Sequence, residues 1–188
     1  MHRFIHRNIK TRNFSTFHTK RFYSAYIIER LRGYFADQGI PTDTFEAVRN
    51  IQPTHLVDFA ERIKAVEHFR SLPESASLAA ANKRIRNILK KSSYDIQPAN
   101  KELLKESAEK ALYQQIVEAE QNISPMLTAR DYTAALSDLA NLKPVVDQFF
   151  DEVMVMDEDE AIRNNRIALL TKVNDLFTAV ADISLLQS

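Results

Sequence analysis

The sequence of 188 residues contains no cysteine, so it can form neither a disulfide nor a thiolate zinc site, a composition that fits a reducing compartment. Glycine occurs twice and proline six times, which is too little turn chemistry for a sheet protein. No apolar run approaches the roughly 18 residues of a membrane-spanning helix. The five histidines, His2, His6, His18, His55 and His68, fall in no HExxH or His/carboxylate spacing that would hold a metal. A Gly-rich phosphate loop, a Ser/His/Asp arrangement with supporting glycines, and paired carboxylates outside a single acidic run are missing too, which leaves no catalytic constellation. Lys plus Arg number 25 and Asp plus Glu also 25. With zero formal charge the chain is not globally basic, and only the distribution of its charges can argue for nucleic-acid binding.

What is abundant are the good helix formers Ala, Leu, Glu, Lys, Arg and Gln, which predict an all-α fold. A hydrophobic content of 45% suffices for one well-packed domain, or a domain with a helical extension. The charge is unevenly spread: almost purely basic up to Arg30, basic again from Lys83 to Lys91, and acidic from Asp147 to Glu160, where seven acids meet no base.

The apolar periodicity predicts about seven or eight helices. The first, over 25–38, stops at Gly39, a natural residue for the turn beyond a helix end. A short helix follows Pro41, with Asp43 and Glu46 spaced like a capping box. Pro53-Thr54 opens the next, whose Leu56, Phe59, Ile63, Val66 and Phe69 face inward, the two helices forming an antiparallel pair. Glu74 to Lys91 carries an apolar stripe of Leu78, Ala81, Ile85, Ile88 and Leu89, and its Lys83, Arg86 and Lys90 share another face, with Asn87 beside them. Ser92 to Asn100 is a loop. Lys101 to Glu120 is a long charged helix, with Pro125 expected to break it. Asp131 to Leu142 is helical, and Pro144 begins the helix after it.

The last forty or so residues organise the rest. Ile162, Ile167, Leu170, Val173, Leu176, Phe177, Val180 and Ile183 recur three or four apart, the buried stripe of a core helix. The preceding acids Asp157, Glu158, Asp159 and Glu160 read as its cap, since the positive end of the helix dipole favours carboxylates. They are consecutive, whereas a calcium loop alternates its ligands around a glycine, so no metal is expected there. The spacing lets Asp159 pair with Arg163. Met154 and Met156 are expected to be core filler beside Phe149, Phe150 and Val153.

These residues carry a resemblance. FFDEVMVMDEDEAIRNNRIALL followed by ADISLLQ resembles the closing signature of the all-helical DALR anticodon-binding domain, which arginyl- and cysteinyl-tRNA synthetases share with the bacterial-type glycyl-tRNA synthetase beta subunit. Two upstream stretches, ERLRGYFADQGI from Glu29 to Ile40 and LPESASLAAANKRIRNILKK from Leu72 to Lys91, are similar to the glycyl beta subunit in particular. The match runs from about Ile27 to Gln187. Residues 1–24 stand outside it and divide the chain into a basic N-terminal segment (1–24), expected to lack fixed structure, and a helical anticodon-binding domain with a preceding helical portion (25–188). The segment is Arg-rich, Ser-containing and acid-poor, as organellar transit peptides are. The abrupt start of the resemblance in mid-helix favours instead a truncated or misplaced reading frame.

The resemblance implies part of a glycine-tRNA ligase whose amino-acid activation lies in a separate alpha subunit. That subunit would use ATP and magnesium, while this chain is expected to hold no cofactor and no catalytic residue. The implied partners are glycine tRNA and the alpha subunit, with no membrane, in the cytoplasm, or in an organelle if the basic segment is a transit peptide. Recognition of an anticodon loop needs cations for phosphates and planar or amide groups for unpaired bases. Lys83, Arg84, Arg86, Lys90 and Lys91 can supply the first, and Asn82, Asn87 and an exposed Tyr34 or Tyr94 the second. Arg163, Asn164, Asn165 and Arg166 form a weaker candidate group, better read as a structural cap tied to Asp157 and Asp159. Two rival readings remain, a helical protein-interaction module with a merely solvated basic helix and the homologous domain of an arginyl- or cysteinyl-type enzyme.

Overall fold

The computed structural model describes residues 27–91 and 97–186. The basic segment 1–24 and Tyr94 lie outside the described residues. By compactness the chain divides into two units, Met1–Ile40 and Pro41–Ser188.

In the first unit, helix α1 covers 27–37. It closes as its sequence predicts: Gly39 sits at φ 81°, its N–H donates to the Ala36 carbonyl at 2.9 Å and the Ile40 N–H donates to the Phe35 carbonyl at 3.0 Å. These paired bonds satisfy the last carbonyls of the helix, and the left-handed residue between them favours glycine. Within α1 the Tyr34 and Phe35 rings meet edge to face at 5.3 Å.

The second unit consists, among the described residues, of α2 (Thr42–Asn50), α3 (Leu56–Arg70), α4 (Ser75–Lys91), α5 (Ser107–Ala129), α6 (Tyr132–Leu139), α7 (Lys143–Glu152) and α8 (Glu160–Thr178), with three short 3-10 turns and no strand. The first turn of α2 meets the last turn of α3, where Arg70 pairs with Asp43 at 2.8 Å and Thr44 donates to Glu67 at 2.6 Å. The predicted capping box on α2 does not form. Pro41 is the N-cap, so Asp43 already lies inside the first turn and turns to Arg70, while Glu46 pairs with Arg49. Leu56 opens α3 on its exposed side rather than joining the stripe of Phe59, Ile63, Val66 and Phe69.

Pro125 does not end α5, which continues to Ala129. A proline removes one backbone donor and crowds the carbonyl four residues earlier. Here that loss falls in the last turns, where the helix has few further bonds to lose. The chain reverses at Arg130, in a left-handed conformation at φ 59°, and Asp131 caps α6 by accepting the Ala134 N–H at 3.0 Å.

Helix α8 lies against α4, α5 and α6. Its middle is covered on every side: Asn165 to Leu170 are six consecutive buried residues, beyond the single stripe that its periodicity predicts. Asp159 is its N-cap and accepts the Ala161 and Ile162 N–H groups at 2.8 and 3.3 Å. At the other end Arg62 of α3 donates to the Ala179 and Val180 carbonyls at 2.8 and 2.7 Å, groups that a helix leaves without partners. Arg62 is held in turn by Asp58 at 3.0 Å and Tyr132 at 3.1 Å, and the Tyr132 hydroxyl donates to Asp58. Burial alone would raise the Asp58 carboxyl, but the bonds from Tyr132 and Arg62 outweigh it and hold the group below its ordinary 3.8. Burial and the bond to Asp58 push the Tyr132 phenol above its ordinary 10.0.

Two expectations follow. Leu170→Ala removes a side chain that is 1% exposed and should destabilise the fold by about 2–5 kcal/mol in urea denaturation. Because Asp58 is lowered in the folded state, its stabilisation is complete above the ordinary 3.8 and is lost as pH falls from there through the lower folded value. Melting of the native chain should therefore fall more steeply between about pH 5 and about pH 3 than melting of Asp58→Asn, which has no such carboxylate to protonate.

Candidate nucleic-acid interface

Helix α4 contains five cations, Lys83, Arg84, Arg86, Lys90 and Lys91, and no acid. Its inward stripe is Leu78, Ala79, Asn82 and Ile85, positions i, i+1, i+4 and i+7 that share one helical face. Asn82, a predicted base-reading residue, thus turns into the bundle and is 2% exposed. Two of the cations leave the helix sideways. On one flank the Arg84 guanidinium lies over the Phe150 ring of α7, 4.1 Å from its centroid. On the other, Arg86 pairs with Asp182 and donates to Ser184 at 3.0 Å. Asp182 also accepts from Asn50 at 2.6 Å, and its N–H donates to the Ala47 carbonyl at 2.9 Å. Arg86 therefore ties α4 to the C-terminal turn and to α2, and it does not share the open face predicted for it with Lys83 and Lys90.

Between the two flanks runs an exposed ridge of Lys83, Asn87, Lys90 and Lys91, at i, i+4, i+7 and i+8 on one face. Beside this ridge is a hollow of about 470 Å³ lined by the aliphatic Ala80, Ile88 and Met156 and by Lys83, Arg84, Asn87 and Lys91. Met156 belongs to the link between α7 and α8, where the sequence predicts core. There Met154 is 75% and Met156 56% exposed, while Val153 and Val155 are buried. The reason is local: Val153 is extended, at φ −109° and ψ 122°, and extended chain sends alternate side chains to opposite sides. The hollow was the part of the site that helical periodicity could not find. The alternation Val-Met-Val-Met was the available signal.

Three residues of the weaker candidate group, Arg163, Asn165 and Arg166, are engaged within the fold. Arg166 is 4% exposed; it pairs with Glu109 of α5 at 2.6 Å and with Asp157 at 2.7 Å, and it donates to the Met154 carbonyl at 2.8 Å. Burial opposes its charge, and Glu109 and Asp157 outweigh burial and raise its pKa. Asp157 is held below its ordinary value, first by the Asp159 N–H and then by Arg166 against partial burial. Asn165 clamps the backbone of Asn100, accepting from its N–H at 2.6 Å and donating to its carbonyl at 3.1 Å. Arg163 donates to the Asp157 carbonyl at 2.8 Å. The predicted Asp159–Arg163 pair is absent from this cap, because the Asp159 carboxylate is folded over the first-turn amides. Asn164 lines a separate polar hollow of about 430 Å³ with Asn100 and Asn165. Among the described residues no group of three His, Cys, Asp or Glu is placed to hold a metal, and no helix is long and apolar enough to cross a membrane.

A family profile described as DALR anticodon binding domain matches residues 78–183, a segment that opens within α4 and closes at the turn holding Asp182. The chain is similar to the glycine–tRNA ligase beta subunit of Marinobacter nauticus, 48% identical over 165 residues, which is 87% of this chain and 24% of that protein. It is similar also to the beta subunits of Shewanella amazonensis, 49% identical, and Aeromonas salmonicida, 50% identical, each over 163 residues that make up 86% of this chain and 24% of the relative. The chain thus spans about a quarter of the length of the curated relatives it matches.

The geometry separates the cations of α4 into structural and exposed ones. Arg86→Gln leaves the Asp182 carboxylate, with a side chain only 2% exposed, without its cation. It should cost roughly 3 kcal/mol, the low end for half of a buried pair, since Asn50 and Ser184 still donate. Lys83→Gln and Lys90→Gln should each stay within about 0.5 kcal/mol of the parent. Urea titrations of the three variants check the contrast.

Proposed function

This chain belongs to the DALR anticodon-binding domain family, and on that premise we propose that it binds the anticodon stem-loop of a glycine tRNA as part of a glycine–tRNA ligase beta subunit. The observation that carries this reading is the acid-free ridge of α4, where Lys83, Lys90 and Lys91 are exposed and make no ion pair with any described residue. Cations in that state can displace the counterions condensed on a nucleic acid as they meet its phosphates, which supplies affinity and makes it depend on salt. Asn87 stands among them with an amide that can both donate and accept. An anticodon loop presents curved backbone and unstacked bases together, the two targets such a face can address.

In this reading the chain is a binding part. The chemistry of charging, with its ATP and magnesium, belongs to an alpha subunit in the cytoplasm, and this chain delivers the tRNA to it. The absence of a phosphate loop and of a nucleophile with a base in the sequence supports that division of labour.

The test is a titration of the chain against a glycine-tRNA anticodon stem-loop at several salt concentrations. Replacing Lys83, Lys90 and Lys91 together with Gln keeps helix propensity nearly constant. It should flatten the dependence of log affinity on log salt by about two to three units, at roughly 0.7 to 0.9 for each phosphate deprived of its cation. An unchanged slope in a folded triple variant would place the RNA elsewhere. Binding that never depended on salt would favour a module that packs against protein.

A further inference from the structure

Phosphate binding by itself asks for solvated cations and gives no reason for an apolar hollow among them. Yet the ridge of α4 borders one, in which Ala80, Ile88 and Met156 supply the aliphatic lining and Lys83, Arg84, Asn87 and Lys91 the polar part. Its wall is fixed. Arg166 binds the link on either side of Met156, at the Met154 carbonyl and the Asp157 carboxylate, so the backbone that carries the exposed thioether is held in place by a buried guanidinium. Arg84 is likewise fixed by its stacking on Phe150.

We infer that this hollow receives one unpaired nucleobase of the bound RNA, stacked on the Met156 thioether and the Ile88 side chain, with the flanking phosphates on Lys83 and Lys91; the assignment rests on the RNA reading above. The size permits it: the hollow, of about 470 Å³ and open to solvent, is roomy enough to admit a single base against its wall. The chemistry agrees as well. A base is a flat apolar surface with polar edges. The hollow offers aliphatic and polarizable contacts for its face and the Asn87 amide for an edge, where it can donate to a ring nitrogen or carbonyl and accept from an amine. The surrounding cations match the charge of the backbone from which the base projects. An apolar protein side chain would find the same lining but would leave Lys83, Arg84 and Lys91 at the rim with nothing to neutralise.

The experiment combines the RNA with the protein side. Each loop nucleotide of a glycine-tRNA anticodon stem-loop is made abasic in turn, and affinity is measured for the full chain and for Met156→Ala, a change at an exposed side chain that leaves the fold intact. One position should lose about tenfold, in the range expected of a single stacked base. Met156→Ala should weaken the unmodified RNA by about fivefold yet leave the affinity for that one abasic RNA unchanged, because the interaction it removes is already missing. If abasic substitutions throughout the loop leave affinity within about twofold while binding still weakens with salt, the hollow holds no base, and the lysine ridge stands without it. A Met156→Ala variant that weakens every RNA equally excludes a base from the hollow in the same way. Loss of salt-dependent binding altogether would overturn the RNA reading and this assignment together.

Discussion

The bundle depends on one guanidinium. Arg166 sits in the most enclosed part of α8 and reaches α5 through Glu109, which is 0% exposed, and the α7–α8 link through Met154 and Asp157. Glu109 in turn accepts the Lys105 and Glu106 N–H groups at 2.6 and 2.7 Å and so defines where α5 begins. Taking two charges out of water is costly, and the cost is recovered only where the remaining donors and acceptors are also satisfied. That condition is met here by a carbonyl and two backbone amides. An ionic centre of this kind contributes less to net stability than to geometry: it admits one relative placement of α5, α8 and the link, and it decides that Met156 stands beside α4.

A second arginine does similar work at the far end of α8. Arg62 satisfies the terminal carbonyls at Ala179 and Val180 and joins α3 to α6 through Asp58 and Tyr132. A few residues on, Arg86 pairs with Asp182. Two arginines from other helices, Arg62 and Arg86, therefore meet the last helix and the turn beyond it, and with Arg166 of that helix each is engaged by the fold. What remains for solvent on α4 is Lys83, Lys90 and Lys91, together with Arg84, which stays exposed while it stacks on Phe150. This division suits the two side chains, since a planar guanidinium satisfies several acceptors at once, whereas a flexible ammonium keeps its charge hydrated and mobile.

Much of this was legible from sequence and some could not be. The all-helical class, the stop at Gly39 and the Asp159 cap follow from local rules of spacing and capping, and the structure agrees with each; of the cap read for Arg163 to Arg166, the tie to Asp157 forms through Arg166 and the tie of Arg163 to Asp159 does not. The DALR family could be read from the closing signature. Expectations failed where a local rule met a distant partner. Asp43 was spaced for a cap, but Arg70 claims it. Arg86 shares a helical face with lysines by arithmetic, yet its partner lies 96 residues away. The two methionines looked like core because they sit in an apolar cluster with Phe149, Phe150 and Val153, but the helix ends at Glu152 and alternation takes over. Asn82 shows the same limit from the inside: an amide among Ala, Leu and Ile is more readily assigned to a surface than to the stripe it occupies.

The two tethers of α4 have a mechanical meaning. With Arg84 laid on Phe150 along one flank and Arg86 locked to Asp182 along the other, the helix cannot roll about its axis. The backbone positions of the lysines between them therefore keep a fixed bearing, and Lys83 and Lys90 stand about 10 Å apart along that axis. The helix is in effect a ruler with two marks. On the reading proposed above, a strand whose phosphates curve to that interval would engage both ends at once, whereas a straighter one would reach a single mark. If the ridge meets RNA as proposed, it would respond to the curvature of the backbone before any base is read.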